Sequence, residues 1–252
     1  MGNMPRDGGP TRERILQVAE RLMTDQGYNA TSVDQVIAES SSSKGAFFHH
    51  FSSKADLAAA LVDRYVASDL AHLDAGLTAT VGIEDPAERV VAFLRFYEDG
   101  ADALMAEQTG CLFATVLAER QFTGTDMNHQ IGRTQEAWRR ELVDLLRPAL
   151  ARRQPPIDVD ADALADHLFT TFEGGFILCR ALENPSAMRD QLRIFRQLVE
   201  ALLHAHRDDQ QPRHHQAGGE PAQQRRSRRT LASERVPHSA NAWPASPTDL
   251  RR

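Results

Sequence analysis

Apolar positions along this chain recur at helical spacing, and no segment pairs a two-residue alternation with β-branched residues. Thr11 is the expected N-cap of a first helix whose Ile15, Leu16, Ala19, Leu22 and Met23 share one face. Gly27 then supplies a left-handed stop. A second helix opens at Thr31 and Ser32, where Ser32-Val33-Asp34-Gln35 has the capping-box form and Val33, Val36 and Ile37 give a buried edge. It runs out in Ser40 to Ser43, because serine side chains compete with the backbone and favour turns and caps. A short third helix, Lys44 to His50, carries Phe47 and Phe48, with Phe51 just beyond it. A fourth begins at Ser53-Lys54-Ala55-Asp56, another capping signature, and continues through Leu57, Ala58, Leu61, Val62 and Tyr65.

Asp85-Pro86 starts a further helix as an N-cap and first-turn proline, with Val90, Phe93, Leu94 and Tyr97 inward. Later stripes are Trp138, Leu142, Leu145 and Leu146, then Leu164, Leu168 and Phe172, and last Leu192, Phe195, Val199 and Leu202. Pro185 separates the final two helices, expected at about 160–182 and 187–205. The predicted fold is all-α with about nine helices. Residues 1–10 read as a disordered arm, 11–53 as a unit of three short helices, and 54–206 as a unit of longer ones. Residues 207–252, rich in Arg, Gln and Pro, read as a disordered tail, since they cannot bury enough surface to offset their ordering entropy.

Bulk properties narrow the class. With 252 residues, 41% hydrophobic, the chain can build a sizeable core in one or two domains. It has no apolar run of the roughly 18 residues a membrane helix needs and no signal-peptide pattern at its start, so no membrane partner and a cytoplasmic location are expected. Two cysteines, Cys111 and Cys179, are too few for a disulfide framework or a four-cysteine zinc site, and both sit in apolar sequence. The net charge of −6 argues against bulk attraction to nucleic acid. From Gln211 to Arg252, eight Arg face three acids, a surplus of +5, so residues 1–210 carry −11. Any DNA contact must come from a local constellation.

Two short helices joined by a tight polar turn have the outline of a helix-turn-helix. Read together, Thr31-Ser32-Val33-Asp34-Gln35-Val36-Ile37-Ala38, Ser43-Lys44-Gly45-Ala46-Phe47-Phe48-His49-His50-Phe51 and Ser53-Lys54-Ala55-Asp56-Leu57 resemble the DNA-binding signature of the TetR family of transcriptional regulators. The resemblance is collinear and gapless over about residues 11–60. It implies an N-terminal three-helix DNA-binding domain followed by a helical domain for ligand binding and dimerisation.

The residues suit that role. Ser43 can cap the third helix and offer its hydroxyl to a phosphate, while Lys44, the one cation on that helix, can reach a base edge or a backbone oxygen. Gly45 and Ala46 lack bulk, so the helix can approach the groove floor, and His49 and His50 add donors near its end. Adjacent residues on a helix point about 100° apart, so this pair is not read as a metal site. Lys54 with the amides after Ser53, and Thr31 with Ser32, are two further candidate phosphate sites. Phe47 and Phe51 are read as core. The chain departs from the family pattern at Ser41, where glycine is usual, at Ser42, where a small hydrophobe is usual, and at Phe48, where a tyrosine usually touches phosphate. Residues 11–60 hold five Lys/Arg (Arg12, Arg14, Arg21, Lys44 and Lys54) against six acids, so specific binding should depend on dimerisation.

For residues 54–206 the resemblance implies dimerisation through the last two helices, pairing with their twofold mates into a four-helix bundle. Phe93, Phe96 and Tyr97 lie on one candidate pocket helix, and Phe169, Phe172 and Phe176 on another. With Cys111, Phe113 and Trp138 they fit either plain core or the lining of a cavity for a small, apolar inducer of unknown identity. Gly174-Gly175 inside a helical pattern points to close helix packing or to ligand access. The run Gly110-Cys111-Leu112-Phe113-Ala114-Thr115 with Glu119 resembles a motif at the sixth helix in one branch of the family. Some members of that branch respond to electrophiles or oxidants through a cysteine. Cys111 stands where that thiol would be, near a helix N-terminus expected to lower its pKa; structural packing is the alternative reading.

An enzyme is the main competing class. The chain shows no nucleotide-binding glycine loop, metal-ligand spacing or resolvable Ser/His/Asp arrangement, and no cofactor is expected. Asp158, Asp160, Asp162 and Asp166 lack the glycine and terminal glutamate of a calcium loop and suit a helix N-terminus instead. The expected function is a homodimeric regulator, most simply a repressor, that binds a double-stranded palindromic operator and is released by a small molecule. A helical ligand-binding or adaptor protein that has lost DNA binding is the alternative. The cluster Arg225-Arg226-Ser227-Arg228-Arg229 could add nonspecific DNA affinity, or the tail could be merely solvated.

Overall fold

The computed structural model describes residues 9–205, and over them the chain forms nine α-helices and one 3-10 turn with no strand. The expected arm (most of residues 1–10) and tail, including the Arg225–Arg229 cluster, lie outside the described residues. The N-terminal helices are α1 (Gly9–Gln26), α2 (Val33–Glu39) and α3 (Lys44–His50). They are followed by α4 (Lys54–Thr78), α5 (Pro86–Glu107), α6 (Leu112–Ala118), a 3-10 turn (Arg120–Phe122), α7 (Asp126–Arg153), α8 (Ala161–Leu182) and α9 (Ser186–His204).

Local chemistry sets most of these ends. Ser32, Ser43 and Ser53 each cap a helix by accepting the amide three residues on, and Asp85 and Asp160 do the same with carboxylate oxygens. Gly27, at φ +90°, ends α1 as expected. One expectation fails at the start. α1 begins at Gly9, so Thr11 sits inside the helix and is not its N-cap. Pro10 costs nothing in this first turn, where its missing N–H would have had no intrahelical partner. Only half of the α2 capping box forms. Ser32 accepts the Gln35 amide at 3.1 Å, but the Gln35 side chain turns to Gln26 and Glu39 instead of reaching back.

α1 packs against α2, α3 and α4. Its Ile15, Leu16 and Ala19 are wholly buried, as are Phe47 of α3 and Leu57 of α4. The first turns of α4 therefore complete the N-terminal core, and the rest of α4 runs on to pack against α5 and α7. In the C-terminal part α9 lies along α5 and α8, and α7 packs on α4, α5 and α8. Arg196 donates to Glu98 at 2.5 Å and Arg193 at 3.2 Å, tying α9 to α5. Burial works against the charge on Glu98, but the two guanidiniums outweigh it and hold the carboxyl below its usual range. Gly175 is a packing glycine, since a Cβ there would stand 2.6 Å from the Met188 sulfur of α9; Gly174 faces open space.

Candidate functional site

The turn between α2 and α3 is a built structure. Ser41 adopts φ +50°, the left-handed region that favours glycine. Around it the Ser42 amide donates to the Ile37 carbonyl at 3.0 Å and the Ser41 amide to Ala38 at 3.1 Å, the paired bonds of a Schellman motif. The Ser40 hydroxyl donates to Ser42 Oγ at 2.9 Å, and Arg14 Nε donates to the Ser40 carbonyl at 2.7 Å, clamping the turn to α1. α3 is thereby fixed at both ends: Ser43 caps its start and the buried Phe47 and Phe51 pin it to the core.

What α3 leaves outward is narrow. Lys44, Gly45, Phe48 and His49 are exposed, and Ala46 and His50 are half-buried. Ser43 spends its oxygen on the Ala46 amide at 3.0 Å, which leaves the hydroxyl hydrogen free to donate outward. Phe48 is 47% exposed, whereas the equally large Phe47 beside it is wholly buried. Nothing among the described residues requires Gly45 to be small, because an added Cβ would meet only Ser43 Oγ at 3.9 Å. A helical glycine costs about 1 kcal/mol relative to alanine, so its smallness serves whatever approaches from outside. Of the five cations in residues 11–60, four are engaged within the protein. Arg12 stacks on Phe51, Arg14 and Arg21 hold Ser40 and Glu39, and Lys54 sits 4.1 Å from the centre of the Tyr28 ring. Lys44 alone has no partner among the described residues.

Two candidate phosphate contacts are corrected. The Thr31 side chain is buried, donating to the Gly27 carbonyl at 2.9 Å and accepting from Gln26 at 3.2 Å, so it braces the α1–α2 loop. Lys54 is half-buried on Tyr28 and donates to the Asn29 carbonyl at 3.5 Å; burial lowers its pKa and Glu119 only partly restores it. At the start of α4 the Asp56 amide is taken by Ser53, and the Asp56 carboxylate accepts the Ser52 amide at 2.8 Å, which sets a negative charge beside the remaining amides. His50 leans on His49 with ring centres 5.0 Å apart, and its pKa is lowered first by burial, then by His49 and Arg12. It is therefore a neutral donor at pH 7.

A cavity of about 540 Å³ opens among α4, α5, α7 and α8, with the start of α6 at one end. Phe96, Tyr97, Trp138, Phe169, Phe172 and Phe176 line it, as do Cys111 and Phe113. Phe93 does not. It is buried in the α5 core with its ring 5.1 Å from Tyr97, next to Gly76. Gly76 is bare because a Cβ would stand 2.6 Å from the Tyr97 hydroxyl, which donates to the His72 carbonyl at 2.9 Å.

Sequence reasoning missed the polar groups on this wall. Asp69 accepts from Trp138 Nε1 at 2.6 Å; burial pushes its carboxyl up to about 6, against the pull of that hydrogen bond and of His72. Tyr65 donates to Gln108 at 3.2 Å, and burial raises the Glu173 carboxyl. A signal was present in the sequence: Asp69 continues the stripe of Leu61 and Tyr65 at four-residue spacing, and Glu173 stands between Phe169, Phe172 and Phe176.

Cys111 stands at the N-cap position of α6 without a side-chain capping bond, and its pKa is raised, not lowered. Burial dominates and the neighbouring Glu173 carboxyl adds to it, which together outweigh the amide of Ala114. That environment favours the protonated thiol at neutral pH.

Comparison with known proteins matches these two regions separately. The model described as bacterial regulatory proteins, tetR family, matches residues 15–61, and the one described as tetracyclin repressor-like, C-terminal domain, matches residues 86–195. The chain belongs to the TetR family. The transcriptional regulator AcuR of Cereibacter sphaeroides is 28% identical over 194 residues, 75% of this chain and 85% of its own length. The HTH-type transcriptional regulator LmrA of Bacillus subtilis is 37% identical over 91 residues, 34% of this chain and 45% of its own. A regulatory protein TetR from Rhodobacter sphaeroides superposes with a TM-score of 0.60 at 26% identity, over 74% of this chain and 97% of that one. A TetR transcriptional regulator from Chloroflexus aurantiacus shares the fold with a TM-score of 0.61 at 24% identity, over 77% of this chain and 96% of its own.

This TetR-family chain is thus a helix-turn-helix, DNA-binding transcriptional regulator. No helix among its described residues is long and apolar enough to cross a membrane.

The two regions touch through side chains of which the sixth-helix motif named only Glu119. Asn29, in the α1–α2 loop, donates to Glu119 after α6 at 2.6 Å, and Gln121 donates to Asn29 at 3.1 Å. The Tyr28 ring meets Phe122 edge-on at 4.7 Å. Arg180 of α8 donates to the Thr24 and Thr109 carbonyls. The residues between α6 and α7 thus hold the reading head on one side, while the start of α6 borders the cavity.

Proposed function

We propose that this regulator is a repressor that binds a palindromic operator in the cytoplasm as a homodimer and lets go when a small molecule fills the cavity. The observation that carries the DNA face is the outward strip of α3. Lys44, Gly45, Phe48 and His49, with the Ser43 hydroxyl and the flanking Ser32, Ala46 and His50, form the contact surface, and Lys44 is the uncommitted cation on it. Phe48 meets the groove with an apolar ring, which suits contact with a thymine methyl.

An apolar face on α8 and α9 supports the dimer. Ile177 (68% exposed), Leu182 (63%), Ile194 (51%) and Leu198 (63%) lie uncovered on the two helices expected to pair with their twofold mates. With only Lys44 uncommitted among the five cations of residues 11–60, two reading heads are needed for specific affinity. The contacts of Asn29 with Glu119 and of Tyr28 with Phe122 support release: a ligand that shifts α6 would move the α1–α2 loop and change the spacing of the heads.

Fluorescence anisotropy on DNA fragments flanking the protein's own gene, at two salt concentrations, tests this reading. Saturable binding of two chains to one palindromic fragment, resistant to competitor DNA, is the expected result. Weak binding on every fragment that salt erases would overturn it.

A further inference from the structure

The cavity wall is aromatic and, in charge, acidic. Tyr97 stands at its centre with Phe96, Trp138 and Phe172 at 5.2, 5.4 and 5.9 Å between ring centres. Two carboxylates line it, Asp69 of α4 and Glu173 of α8, and the charge of each is felt at the Tyr65 hydroxyl. Asp99 and Glu107 stand at the exposed rim.

Basic groups do not balance these acids. Arg139 borders the cavity but Asp166 grips it with two bonds of 2.7 Å. His72 is the other basic neighbour, and Asp69 feels it. Among the described residues no lysine or arginine pairs with Asp69 or Glu173. Taking a carboxylate out of water without a counter-charge is costly, and aromatic faces attract cations by their quadrupole. The same wall repels an anion and leaves a neutral ligand with both carboxylates still uncompensated.

We propose that the cavity's ligand is an organic cation: an aromatic or bulky alkyl ammonium whose charge lies between Asp69 and Glu173 and whose body packs among Tyr97, Trp138 and Phe172. A cavity of about 540 Å³ accommodates a two-ring body with a short charged arm. This rests on reading the cavity as the effector site, and it names the chemistry that site selects.

Three probes with one ring system test it by titration calorimetry on the full chain at pH 8: 1-naphthylmethylammonium, neutral 1-naphthalenemethanol and anionic 1-naphthoate. The cation should bind at least roughly tenfold more tightly than the other two. Asp69→Asn and Glu173→Gln should each shrink the cation's advantage over the alcohol towards one. Equal or tighter binding of the alcohol or the acid overturns the proposal, and so does failure of all three to bind. Operator anisotropy in the same samples keeps the two readings apart. Release by the alcohol or the acid in preference to the cation would overturn the ligand class and keep the regulator. Cation binding at Asp69 that leaves the operator complex intact would keep the ligand class and overturn release through this cavity.

Discussion

Replacing Asp69 by Asn should stabilise the protein, and by an amount that depends on pH. The free carboxyl would titrate at 3.8; in the fold, burial pushes it up to about 6. A raised carboxyl favours the protonated fold, so its contribution is fully present below the ordinary carboxylate range and is lost as pH rises through about 6. A shift of about two units corresponds to about 3 kcal/mol at pH 8. At pH 4.5 the same relation leaves about 1 kcal/mol, because the folded carboxyl is then mostly protonated. Asparagine keeps an acceptor for Trp138 Nε1 and removes the charge. Urea denaturation followed by circular dichroism, at one protein concentration, should show the variant about 2–3 kcal/mol more stable than the parent at pH 8. By pH 4.5 the advantage should shrink by about 2 kcal/mol. An advantage equal at both pH values, or a variant weaker at pH 8, would refute the claim that Asp69 is an uncompensated buried charge.

Three more outcomes follow from particular contacts. Ser41→Gly relieves a left-handed serine and should raise stability by about 0.5–1 kcal/mol in thermal unfolding; a loss would mean that the serine-held turn needs its side chain. Leu198→Glu places a charge on the open face of α9 and should yield monomers by analytical ultracentrifugation with unchanged helicity, and intact dimers would place the interface elsewhere. Native Cys111 should resist a thiol reagent at pH 8 and react only when urea opens the fold, whereas rapid labelling of the native protein would restore it as a sensor.

How far the sequence foretold this structure depends on the range of each interaction. Helix ends were legible because they are local: Ser32, Ser43, Ser53 and Asp85 cap amides two or three residues on, and the stops at Gly27 and Ser41 need only their own backbone. The glycine usual at position 41 also has its reason, the positive φ that serine here tolerates. Distant partners were not legible. Lys54 reads as a free cation in the sequence, but Tyr28 of the α1–α2 loop lies beneath it. Thr31 turns inward because Gly27 and Gln26 close around it. The helix terminus near Cys111 suggested an acidic thiol, but burial and Glu173, 62 residues on, set the opposite sign. Aromatic periodicity pointed at the cavity wall but could not tell Phe93 from Phe96, since Phe93 is set against Gly76 of α4, a contact between distant residues, while Phe96 lines the cavity.

The central claim, that α3 reads DNA through its outward strip, is tested most directly by the operator affinity of Lys44→Ala. The side chain has no partner among the described residues, so the variant should fold, dimerise and bind cavity ligands as the parent does. Each operator carries two copies of the contact, so affinity should fall by at least about tenfold, and the salt dependence should flatten if Lys44 meets phosphate. Unchanged operator affinity and salt slope would contradict the account and place the DNA contact on another surface.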